Sequence, residues 1–78
     1  MDNADAERIK NDVFLFEKNI KGIESLDFSD EEHKVIEMAK RYCKDTKYYL
    51  KKQDYLTAFG CISYAHGLLD ALRLIKQK

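Results

Sequence analysis

Residues 54–75, DYLTAFGCISYAHGLLDALRLI, decide most of what this chain can fold into. Of the 21 residues from Tyr55 to Ile75, 14 are apolar. Ala58, Cys61, Ala65, Leu68, Leu72 and Ile75 recur at intervals of 3, 4, 3, 4 and 3, the repeat of a buried helical face. A second row, Tyr55, Phe59, Ile62, His66 and Leu69, lies beside the first. Two adjacent rows make an apolar face wide enough to touch two neighbours, so this helix is expected at the centre of the fold.

Two more polar helices are available to cover it. Ile9, Val13, Phe16, Ile20 and Ile23 recur at 4, 3, 4 and 3, a narrow apolar stripe on a helix expected over about residues 5–22, with Gly22 placed to cap its C-terminus. Phe14 and Leu15 fall off that stripe. The next start is well marked: Ser29 with Glu32 three residues on is a capping box, Asp30, Glu31 and Glu32 suit the positive end of the helix dipole, and Phe28 is placed as a hydrophobic staple against His33. This helix is expected over 30–51, with Val35, Ala39, Tyr42, Thr46 and Tyr49 in one row and Ile36, Cys43 and Leu50 beside it. No glycine or proline marks the next turn, which is read from Lys51–Lys52–Gln53–Asp54: lysines suit a helix end and Asp54 an N-cap. A third helix over 55–76 then packs antiparallel to the second. The expectation is all-α, a single three-helix up-and-down bundle.

Charge and cysteine content narrow the setting. Lys and Arg number 14 against 14 Asp and Glu, but residues 1–39 carry 5 against 11 and residues 40–78 carry 9 against 3, a balance of −6 and +6. The N-terminus lacks the apolar run of a signal peptide. Asp70 and Arg73 argue against a membrane span, each costing about 2.5–3.5 kcal/mol at mid-bilayer. Cys43 and Cys61 form no metal-spaced set and, in a hairpin turning near residue 53, fall out of register for a disulfide. The chain is therefore expected to be cytoplasmic, with no cofactor and no membrane partner.

Three features carry functional candidates. Gly60 and Gly67 each cost about 1 kcal/mol relative to alanine in a helix interior, and with Tyr64 and Ala71 they form one row. That row suits close packing of the first helix, a docking site for a protein partner or a second copy of the chain, or room for a ligand. His66 and Asp70, one turn apart, suit a hydrogen-bonded pair that is structural or that contacts a ligand or metal, with Glu37 level with Asp70. Lys40, Lys44, Lys47 and Lys51 recur at 4, 3 and 4, a basic stripe that is either a solvated face or a track for nucleic acid phosphates. Phosphate-cradling loops, zinc spacings and nucleophile elbows are absent, so no catalytic residues are assigned and no enzyme is expected.

The run from Asp54, with Ala58 and then Ser63–Leu72 (SYAHGLLDAL), resembles a family of small archaeal helical proteins, the one numbered 357 among domains of unknown function. Tyr64, Ala65, His66, Gly67, Leu69, Asp70 and Ala71 carry the likeness. It implies a three-helix up-and-down bundle of archaeal cytoplasmic origin and implies no activity. The resulting expectation is a non-enzymatic interaction module, self-associating or docking through Gly60, Tyr64, His66, Gly67 and Asp70. The alternatives are a nucleic-acid accessory using the lysine stripe and a small-ligand or metal site at His66 and Asp70.

Overall fold

The computed structural model describes residues 3–76. They form α1 (Asn3–Ile23), α2 (Asp30–Lys51) and α3 (Tyr55–Lys76) in an elongated bundle of 41 × 17 × 16 Å. The third helix packs on both others, most extensively on α2, while α1 and α2 touch each other little. The two apolar rows explain this order. Ile62, Ala65, Leu69 and Leu72 of α3 are buried with Ile9, Val13, Phe16, Ile20 and Ile23 of α1 and Ile36, Ala39 and Cys43 of α2. Small residues on the facing sides of α2 and α3, Ala39, Cys43 and Thr46 against Ala58 and Ala65, are all buried. Small side chains let two backbones come close. The buried Thr46 hydroxyl donates to the Tyr42 carbonyl one turn back at 2.8 Å, which leaves no orphaned polar atom there.

The helix ends follow from local chemistry. Ser29 caps α2 with both halves of the box made: its backbone N–H donates to Glu32 Oε1 at 2.8 Å and its hydroxyl accepts from the Glu32 N–H at 3.2 Å. Phe28 meets the His33 ring edge-on at 5.8 Å, so histidine does serve as the staple. Asp54 caps α3, its carboxylate accepting from the Thr57 N–H at 3.2 Å. Gly22 departs from the expectation. It stays inside α1 with a negative φ, because one more helical residue carries Ile23 into the core. Phe14 and Leu15 are both exposed.

The left-handed residue sits instead at the unmarked turn. Gln53 has φ 61°, and the Gln53 and Asp54 N–H groups donate to the Leu50 and Tyr49 carbonyls at 3.0 and 2.9 Å, a complete Schellman closure of α2 built without glycine. A Cβ in that conformation costs about 1 kcal/mol or more. Gln53→Gly is therefore expected to stabilise the fold by roughly 0.5–1 kcal/mol, after glycine's greater loss of chain entropy, and Gln53→Val to destabilise it. Urea midpoints of the two variants check this, and a fall in midpoint for Gln53→Gly would contradict it.

The far end of the bundle is held by Lys76 of α3, whose Nζ lies 2.8 Å from Glu32 Oε1 and 5.2 Å from the centre of the Phe28 ring. The Lys76 ammonium and then the Ser29 backbone N–H hold the Glu32 carboxyl below its ordinary value near 4.5. A carboxyl with a lowered folded-state pKa contributes stability above its unfolded value and loses it as pH falls through the folded one. The stability difference between the parent and Glu32→Gln should thus be full at neutral pH and shrink from about pH 4.5 downward. Thermal melts across pH 3–7 read this, and a difference that grew on acidification would contradict the assignment.

Candidate functional site

The central helix has an outward face that none of the other described residues covers. The residues of α3 opposite its core rows are Leu56, Gly60, Ser63, Gly67, Ala71 and Leu74, all exposed, with Leu56 77% and Leu74 67% accessible. Phe59 and Asp70 on one flank and Tyr64 and Ile75 on the other are exposed as well. Residues 55–69 contain no Asp, Glu, Lys or Arg. A helix buried on one side is ordinarily charged on the other, and here the outward side is neutral over the four turns that precede Asp70. Scattered apolar residues are normal on a surface, whereas a contiguous row is a mark of an interaction site.

Gly60 and Gly67 lie on this face with open space around them: a Cβ built on either meets nothing within 4 Å. Close packing of α1, one of the three readings open from the sequence, is thereby corrected, because α1 lies against the flank of α3 that carries His66. Tyr64 is held in place by Tyr42 of α2, the rings 4.7 Å apart and tilted by 36°. Tyr64, Gly67, Leu68 and Ala71 surround a shallow depression of about 200 Å³, almost wholly apolar.

His66 and Asp70 do not form a pair. The His66 Nε2 lies 2.8 Å from the Asp12 carbonyl of α1, which fixes the proton on Nε2 because a carbonyl can only accept. Its ring meets Phe16 edge-on at 5.7 Å. The partner found is across the helix interface, 54 residues away in sequence, and spacing along α3 held no signal for it. Asp70 is exposed and Glu37 turns to Lys40 at 3.9 Å. Among the described residues no three His, Cys, Asp or Glu side chains converge to hold a metal ion.

The lysine stripe divides. Lys40, Lys44 and Lys47 line the groove between α1 and α2, facing Glu17, Lys21 and Glu24, and Lys51 does not reach it. Lys47 donates to Glu17 Oε2 at 2.7 Å, and this hydrogen bond raises its pKa. Three of the four lysines therefore look into a groove with acidic residues on its other wall, a poor track for a phosphate backbone. Burial pushes the Cys43 thiol up, with Glu17 adding to the effect, and burial does the same for Cys61 with Asp45 and Asp54. Both thiols are free and protonated at neutral pH, which makes them weak nucleophiles.

A family model described as a protein of unknown function, DUF357, matches residues 11–77. The chain belongs to this family. The match takes in α2, α3 and most of α1, so the DUF357 pattern covers the whole bundle beyond the first turns of α1 and is not confined to the α3 run. No curated protein matches the chain. Among the described residues no helix is long and apolar enough to cross a membrane.

Proposed function

We propose that this DUF357 protein is a non-catalytic association module whose outward α3 face docks a second copy of itself. The observation that carries the reading is the pair of open glycines in an exposed, largely apolar helix face whose one carboxylate is Asp70. Several features favour a second copy as the occupant. Laid antiparallel about a two-fold axis near Gly67, the seam is self-complementary: Leu74 of one copy comes to Gly60 of the other, and Tyr64 comes beside Ala71, large against small. The first half of α2 is acidic, from Asp30 to Glu37, and the second half is basic, from Lys40 to Lys51. An antiparallel pairing sets these opposite ends side by side, whereas a parallel one would oppose like charges.

The size also suits a pair. A 22-residue helix is about 33 Å long, and a strip about 16 Å wide, the width of the bundle, gives roughly 530 Å² per copy, or about 1,050 Å² over both, at the lower limit of a specific interface. Light scattering over a concentration series reads the outcome. The expected mass rises toward twice the 9.2 kDa of one chain, and Gly67→Glu, which places a carboxylate at the crossing, holds it at one chain with helix content unchanged. A parent that stays monomeric into the millimolar range would remove the second copy as the partner.

A further inference from the structure

We propose that the groove between α1 and α2 binds a free amphiphilic monoanion, a carboxylate head on a medium-length apolar chain. The groove exists because both helices pack on α3 and hardly on each other, leaving a trough of about 300 Å³, at the lower end of the range for small-molecule sites. It has an apolar floor, Phe16, Ile20 and Cys43, all of them buried core residues. Its α2 rim is cationic, with Lys40, Lys44 and Lys47, while the α1 rim sets Lys21 between Glu17 and Glu24. One end is closed by the Lys47–Glu17 pair, a bond between the two walls. Beyond it lie Lys21, Lys40 and Lys44, against Glu24 alone.

Lys21 and Lys44 make no ion pair among the described residues, and Lys40 has only a long contact with Glu37 at 3.9 Å. Three ammonium groups over an apolar floor attract a negative head, while their stems extend the greasy wall. Glu24 on the same rim repels a second negative charge, which favours a single carboxylate over a phosphate. From Glu17 to Glu24 the trough runs seven residues of helix, about 10 Å, room for an extended alkyl chain and not for a helix of a partner protein. Nothing in this proposal depends on how the α3 face is used.

Two-dimensional amide NMR of the full chain, titrated with decanoate below its micelle concentration, tests the site. Saturable shifts are expected around Phe16, Ile20, Cys43 and Lys44, with decanol and acetate each producing far smaller ones. Lys21→Glu with Lys44→Glu should weaken decanoate at least tenfold, and Lys44→Gln should weaken it less while preserving the spectrum of the fold. Shifts confined to Leu56, Tyr64 and Gly67 would place the binding on α3 and overturn the proposal. So would an affinity indifferent to both lysine variants, or signal loss on anionic vesicles without saturable shifts from free decanoate.

Discussion

The double variant Gly60→Ala, Gly67→Ala is expected to fold about 1.5–2 kcal/mol more stably than the parent and to self-associate at least tenfold more weakly. Both glycines are helical with negative φ, and a methyl group on either would meet no atom within 4 Å. Alanine is better than glycine in a helix interior by about 0.8–1.0 kcal/mol, and sites seven residues apart, roughly 10 Å along the axis, contribute nearly independently. In a domain of this size such a gain raises the melting temperature by about 4–8 °C per kcal/mol. On the proposed reading, the stability forgone twice on one exposed row is offset by contact with the second copy. Gly22→Ala is the internal control, since Gly22 is also helical and also open. It should stabilise by about 1 kcal/mol and leave association untouched. Urea denaturation at low concentration measures the first effect and sedimentation the second. A double variant that associates as well as the parent would show that the glycines are not where the two copies cross.

The order of the helices was legible because each signal was local and redundant. The apolar rows of α3, the Ser29–Glu32 box and the 4, 3, 4, 3 stripe of α1 each specify an element from within a few turns of chain. Two ends were harder. The turn between α2 and α3 has no glycine, and its closure by a left-handed Gln53 depends on the α2–α3 packing that forces the chain to reverse there. At Gly22 the sequence pointed to a stop that the core overrode, because burying Ile23 is worth more than an ideal cap.

At the candidate site, spacing placed Gly60, Tyr64 and Gly67 on one row but could not say which side of α3 the row faced. Two wide apolar rows on one helix leave the third side ambiguous, and residues such as Phe59 and Ile75, which extend the buried pattern, turn out to be exposed. His66 shows the same limit in another form. Its neighbour by helical spacing was Asp70, while its actual partner is a backbone carbonyl of α1, invisible to any argument made along one helix. The lysine stripe was real as a pattern, yet its meaning changed once α1 supplied Glu17 and Glu24 across the groove.

Ile62→Ala is expected to remove about 2–5 kcal/mol, because Ile62 is completely buried where all three helices meet and a truncated side chain leaves a cavity that a helix bundle cannot fully close. Domains of this length hold in total about 4–12 kcal/mol, from roughly 0.05–0.15 kcal/mol per residue. The variant should therefore melt well below the parent, by about 4–8 °C for each kcal/mol lost. Ile62 points away from the outward face, so its loss leaves the docking surface chemically intact. If a second copy binds only the folded chain, association draws the variant back toward the native state by mass action, worth about 2.7 kcal/mol at a hundredfold excess over the dissociation constant. Its melting temperature should then climb with protein concentration, and adding Gly67→Glu should abolish that climb. Circular dichroism melts over a hundredfold concentration range separate the two claims. A large loss of stability that ignores concentration would keep Ile62 as the centre of the core and remove self-association from the role of α3.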